Sequence, residues 1–196
     1  HNGTETFPVK DTDRNQLSSI LSSTGMQGVI LPVRSVGVQG DERTYAHPAV
    51  VWCDAPLDWE KVLGVATRVV NTMESVNRVV LAPQNFGETQ LHLEPQFLTE
   101  DTVELLQGVD HLVRKATEHL PEIWQLPVVS LPLLDEDGKR AFVLRPICSK
   151  DAMTASVFRM DPALLREIQR LASELPGVGV LLYDLTTKPP ATIEWE

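Results

Sequence analysis

The chain has 196 residues, 42% hydrophobic and 22% charged, with a mean hydropathy of −0.09, a composition that excludes disordered and fibrous classes. Its 17 basic and 27 acidic residues leave a net charge of −10, and an acidic surface argues against nucleic acid as the main partner. No apolar run approaches the roughly 18 residues of a membrane span, and no signal-peptide core opens the chain. Membrane association is therefore not expected either.

In chain order, a short helix is expected over 13–23. A β-branched strand over 29–38 ends at the turn pair Gly40-Asp41, and 45–53 returns as the second strand. Pro48 pushes the first part of that return to an edge or bulge. Val62, Leu63, Ala66, Val69, Val70 and Met73 recur at helical spacing behind an Asp58 cap. A strand over 76–81 follows, then a polar, proline-containing linker over 84–97. A further helix over 99–120 presents Leu105, Leu106, Val109, Leu112, Val113 and Ala116 on one face, with Gly108 weakening it slightly. Beyond it come a strand from Leu126, a polar turn over 135–139, and a second apolar stretch that ends near Cys148. Asp161 caps the last helix, with Pro162 at its first position and Leu164, Leu165, Ile168, Leu171, Ala172 and Leu175 as its buried stripe. Gly177 stops it.

Two copies of one unit are visible. Leu31-Pro32-Val33-Arg34-Ser35-Val36 matches Leu126-Pro127-Val128-Val129-Ser130-Leu131 at an offset of 95, which Cys53 and Cys148 share. The helix starts at Asp58 and Asp161 lie 103 apart, and Val76-Asn77-Arg78-Val79-Val80-Leu81 matches Val178-Gly179-Val180-Leu181-Leu182-Tyr183 at 102. The growing offset implies an insertion near 150–160 in the second copy. The expected class is α+β: two repeated β-β-α-β units with an intervening helix, and helices on one face. The expected divisions are a helical lead-in (1–24), a first subdomain (25–84), a linker and helix (85–120), and a second subdomain with its tail (121–196).

The usual catalytic signatures are missing. There is no Gly-rich phosphate loop and no G-x-S-x-G elbow. Two cysteines are too few for a disulfide-built secreted fold, fit a reducing cytosol, and read as buried structural thiols. His111 and His119 have no third ligand at metal spacing and read as a solvated helix face. His47 and His92 fall in or beside loops with no pattern. The tryptophans read as core or interface anchors. The Asn2-Gly3-Thr4 sequon, in a chain without a secretory signal, reads as chance.

Two stretches do not look like packing. One is Gly37-Val38-Gln39-Gly40-Asp41-Glu42-Arg43-Thr44-Tyr45, a turn crowded with charged and hydroxyl groups. The other is the tail, Lys188-Pro189-Pro190-Ala191-Thr192-Ile193-Glu194-Trp195-Glu196, where chain ends are usually frayed. Its prolines are expected to hold it extended. A lysine, a hydroxyl and free backbone N–H groups suit a phosphate, and a carboxylate suits ribose hydroxyls or a purine N–H. A tail docked on a neighbour through Trp195 accounts for the same residues.

The tail from Tyr183 to Glu196 resembles the C-terminus of the glutamine-hydrolysing GMP synthetases. The run from Leu31 to Tyr45 resembles the opening of that family's C-terminal dimerisation domain. Leu144-Arg145-Pro146-Ile147-Cys148-Ser149-Lys150-Asp151-Ala152-Met153-Thr154-Ala155 and Val76-Asn77-Arg78-Val79-Val80 resemble two further segments. Most bacterial members have one such domain; two copies separated by a helix are similar to the longer, animal-type arrangement.

The resemblance implies a part in a reaction. ATP adenylylates XMP at its 2-oxo position, and ammonia from glutamine displaces AMP to give GMP. The glutaminase and ATP pyrophosphatase domains that do this lie upstream in the family, and neither the pyrophosphate loop nor the glutaminase Cys/His/Glu set is here. The implied role is dimerisation and completion of the XMP pocket, in a cytoplasmic homodimer. ATP and Mg²⁺ serve only the full enzyme, and the chain alone is expected to be inactive. Beginning at His1 without those domains, it reads as an excised piece; a stand-alone dimeric interaction or regulatory module that keeps the fold without catalysis is the alternative. The implied XMP contacts are Asp41, Arg43, Gln125, Lys188 and Glu194, with Arg43 and Lys188 suited to the 5′-phosphate and the others to hydroxyl and base edges. One departure stands out: the second copy has Val178-Gly179-Val180 where the family commonly has an Asn-Arg pair.

Overall fold

The computed structural model of the protein describes residues 7–39, 42–84, 86–94 and 97–195. After helix α1 (Asp11–Leu21), the first unit runs β1 (Gln27–Ile30), β2 (Ser35–Gln39), β3 (Glu42–Trp52), α2 (Trp59–Thr72) and β4 (Val76–Leu81). The connection carries a 3-10 turn (Phe86–Glu88), β5 (His92–Leu93) and α3 (Glu100–Thr117). The second unit runs β6 (Val128–Leu134), β7 (Arg140–Leu144), β8 (Ile147–Cys148), β9 (Ser156–Val157), α4 (Pro162–Ser173) and β10 (Val178–Asp184). In each unit a helix carries the chain from the hairpin's second strand to a parallel neighbour, β3 to β4 and β7 to β10. The class is α+β, as expected.

The units share one sheet, in the order β1-β3-β4-β10-β7-β6-β5, with β2 also on β3. They join where β4 and β10 run antiparallel, Leu81 opposite Tyr183 and Val80 opposite Asp184. Leu81 and Tyr183 hold the same place in the repeat, so a local two-fold axis passes between them.

Over 49–52, 79–82, 141–144 and 180–183, strand residues alternate between two apolar layers. Ala49, Val51, Val79, Leu81, Phe142, Leu144, Leu181 and Tyr183 pack with the helices. Val50, Trp52, Val80, Ala82, Ala141, Val143, Val180 and Leu182 form the opposite layer with Leu31, Leu131, Phe86 and Trp195. That second layer holds no residue of α1 to α4, so the helices keep to one face.

The helix signals act as read. Asp58 accepts from the amides of Glu60 and Lys61, and Asp161 from those of Ala163 and Leu164. Thr99 and Thr102 form a reciprocal cap on α3. The last helix ends earlier than expected: α4 closes at Ser173 with Glu174 as its cap, and Gly177 follows in the turn into β10 at φ +89°.

Three expectations need correction. The strand expected over 29–38 is two strands broken at 31–34. Both pair with β3, and the break falls opposite His47 and Pro48, where the β3–β4 register also slips. Pro48 has no N–H to give a neighbouring strand. The His47 side chain supplies the missing donor: its Nδ1 lies 2.9 Å from the Leu31 carbonyl and 2.8 Å from that of Val33. His47 is thus a buried strand residue, not a loop histidine. Finally, the linker expected over 84–97 contributes β5, which pairs with β6, and sends Phe86, Leu91 and Leu93 into the second layer. The expected Gly40-Asp41 turn and the sequon lie outside the described residues.

Candidate functional site

The tail leaves β10 and docks. The prolines do not hold it extended: Pro189 and Pro190 form a turn, closed by the Ala191 amide on the Thr187 carbonyl at 3.1 Å, and both peptide bonds before them are cis. The turn has an arm on either side. Before it, Lys188 pairs with Ala155 through bonds of 2.9 and 3.1 Å, next to β9. After it, Ala191 bridges to Gly37 of β2, and the Val36 amide donates to the Trp195 carbonyl at 2.9 Å. The tail therefore joins β2 of the first unit to β9 of the second.

That seam orders the expected site residues. Arg43 is exposed on β3, paired with Val38 of β2, whose amide donates to the Pro190 carbonyl at 2.6 Å. The Lys188 side chain is half-buried, and its Nζ donates to the Ala152 carbonyl at 2.7 Å. Glu194 presents an exposed carboxylate just before the buried Trp195. Gln125 lies farther along: it bridges to Ile147 of β8, β8 pairs with β9, and β9 leads to Lys188. Three strand spacings, roughly 14 Å, separate the Gln125 and Lys188 backbones. Gln125 is also on the rim of a cleft of about 450 Å³ with Trp124, Arg114 and Thr117. The tail thus carries Lys188 and Glu194, Arg43 lies on the strand beyond β2, Gln125 sits at the far end of the same strip, and Asp41 lies outside the described residues.

Beneath the tail is a charge cluster that the sequence reading missed. Asp184, at the end of β10, is buried and takes two donors on Oδ2, Arg78 at 3.1 Å and the Trp195 indole at 3.0 Å, while Arg145 Nη1 forms an ion pair with the same oxygen at 2.8 Å. The Thr186 amide donates to its Oδ1 at 2.9 Å. Burial would push this carboxyl up, but Arg145 and Arg78, with Thr186, outweigh it and hold it below the ordinary carboxylate value. Burial lowers Arg78 to about 10, opposed by Asp184 and reinforced by Arg145, so it remains a cation at neutral pH.

Two guanidiniums on one carboxylate leave a positive charge in a dry site, and the tail's backbone faces it. Arg78 Nη2 lies 2.6 to 3.1 Å from the carbonyls of Val36, Thr192 and Glu194 and from Thr192 Oγ1. Arg145 donates to the carbonyls of Ile193 at 2.9 Å and of Thr186 and Thr192 at 2.8 Å. The Trp195 ring covers the Arg78 guanidinium, 4.9 Å from ring centroid to Cζ. The available signal was a charged residue in or next to a largely apolar strand, which survives burial only with a partner.

The remaining candidates are structural. Cys53 is buried; Cys148 is half-buried rather than fully so, and burial, with Glu122 nearby, raises its thiol and keeps it protonated. His111 is exposed on α3, while His119 is exposed in the turn after it rather than on the helix face expected. Among the described residues, no group of three His, Cys, Asp or Glu side chains could hold a metal ion, and no helix is long and apolar enough to cross a membrane.

The fold and seam define a two-unit α+β domain whose polar groups collect where its C-terminal tail closes on both units. The family model described as the GMP synthase C terminal domain matches residues 21–84 and 113–195, and the chain belongs to that family. It is 40% identical over 95% of its length to a protein of Leptospira interrogans named as a probable glutamine-hydrolysing GMP synthase, covering 32% of that protein. A probable GMP synthase of Caenorhabditis elegans is 30% identical over 85% of the chain, with 26% of its own length covered. A GMP synthase of Leifsonia xyli is 32% identical over 87%, with 38% covered. The chain spans about a third of the length of the relatives it matches.

Proposed function

We propose that this chain is the dimerisation and XMP-binding region of a cytoplasmic GMP synthase, the ligase that aminates XMP in purine nucleotide biosynthesis. In this reading, upstream glutaminase and pyrophosphatase domains supply ammonia and use ATP with Mg²⁺. Arg43 and Lys188 meet the 5′-phosphate, while Asp41, Gln125 and Glu194 meet hydroxyl and base edges. The chain makes no bonds itself and is inactive alone.

The observation that supports the reading is that the tail carrying Lys188 and Glu194 bridges the two units and docks on β2, the strand paired with Arg43 of β3. Sedimentation of the chain at micromolar concentration, with and without XMP, tests it. A species near twice 21.8 kDa that XMP tightens is expected. A dimer blind to XMP would confine the role to association. The same outcome is what the second reading, a stand-alone dimeric interaction or regulatory module without catalysis, requires, and a monomer blind to XMP would mean that the chain keeps the fold without its function.

A further inference from the structure

We propose that Arg78 and Arg145, anchored on Asp184, are positioning residues for nucleotide binding: they hold the backbone of 192–194 so that the tail presents Lys188 and Glu194 to the ligand. The inference rests on the reading of the tail as part of the XMP site. Neither guanidinium is available to a ligand, since both side chains have no exposed surface. Both are ion-paired inward with Asp184, and their hydrogen bonds run outward to successive carbonyls of the tail, Thr192, Ile193 and Glu194. The buried excess charge gives the tail one favoured register, because only backbone carbonyls in that register satisfy it.

The latch also spans the units. Arg78 belongs to β4 of the first, while Arg145, Asp184 and the tail belong to the second. It also reaches Val36 of β2, so β2 and the tail share one donor. Correct joining of the units is therefore a condition for a correctly placed tail, and the site forms only on the assembled pair. Thr192 is the hinge of this arrangement: its Oγ1 accepts from Arg78 at 2.7 Å and donates to the Val36 carbonyl at 3.1 Å.

The test uses the synthase carrying this region, with XMP-dependent GMP formation from ammonia and ATP as one readout and hydrogen exchange of the Ala191 amide as the other. Arg78→Met, Arg78→Lys and Thr192→Val are compared with Lys188→Ala, which removes a direct contact and leaves the latch intact. Arg78→Met and Thr192→Val are expected to raise the KM for XMP at least about tenfold, the scale of one lost charge-assisted bond. kcat at saturating XMP and the KM for ATP should stay within about twofold, the Ala191 amide should exchange faster, and Arg78→Lys should recover part of the loss. Lys188→Ala should raise the same KM with Ala191 exchange unchanged. If Lys188→Ala weakens XMP while Thr192→Val speeds exchange without moving the KM, the positioning role is overturned and the site reading stands. If Lys188→Ala has no effect on XMP, the site reading fails and the positioning role fails with it. Thr192→Val, at a partly exposed residue, keeps the test open should Arg78→Met not fold.

Discussion

Arg78 and Asp184 meet across the junction of the two units, Nη1 to Oδ2 at 3.1 Å, with no exposed surface on either side chain. A buried pair of this kind adds little over a well-packed apolar replacement, but removing one partner strands the other charge. Asp184→Asn leaves two guanidiniums side by side with no counter-charge. Breaking a buried pair in this way costs about 3–5 kcal/mol. Urea unfolding followed by tryptophan fluorescence reads this as a lower midpoint, and a change under ~0.5 kcal/mol, the usual scale of a surface substitution, would contradict the account.

The same carboxyl sets an acid limit. Asp184 is held below its ordinary value in the folded chain, so the unfolded chain binds its proton more readily. Its stabilisation is therefore present above the ordinary carboxylate pKa of about 3.9 and is lost as pH falls through the lower folded value. Unfolding free energy measured from pH 6 down to 2 should fall in the last two units, and the fall should be shallower in Asp184→Asn.

His47 offers a separate check on how β3 tolerates a proline between two neighbours. Its Nδ1–H faces the carbonyls of Leu31 and Val33. His47→Phe keeps the ring and leaves both buried acceptors without that donor, a loss of about 1–3 kcal/mol. An unchanged unfolding free energy would mean that water reaches the break at 31–34.

Much of this architecture is legible from residue order, for identifiable reasons. Alternating apolar residues and the Asp58, Thr99 and Asp161 caps are local signals, and the repeat adds the equivalence of β4 and β10. What does not show locally is pairing between distant residues. Arg78 lies within β4, Arg145 just past the end of β7 and Asp184 at the end of β10, and only the joined sheet brings them together. The Val178-Gly179-Val180 departure becomes intelligible the same way. The Asn-Arg pair absent there stands at Asn77-Arg78, the matched position of the first unit, and Arg78 reaches the tail across the junction. The proline turn was misread because extended structure is the default for consecutive prolines, and the pairing of Lys188 with Ala155 and of Ala191 with Gly37 overrides it.

Gly37 tests the seam from the side opposite the charges. A Cβ placed there would lie 3.0 Å from the Pro190 carbonyl and from Asn77 Nδ2, and 2.8 Å from Thr44 Oγ1. The Pro190 contact is backbone, so the tail itself must give way, and overpacking of this kind costs about 1–3 kcal/mol. The cost falls on the docked tail rather than on the core, because Gly37 bridges directly to Ala191. Gly37→Ala should leave the unfolding midpoint of the sheet nearly unchanged while carboxypeptidase trims the tail faster and XMP binds about tenfold more weakly, the equivalent of 1.4 kcal/mol. Loss of stability with an intact, protected tail would mean that Gly37 serves β2–β3 packing alone, and the tail would then owe its position to the buried arginines without help from β2.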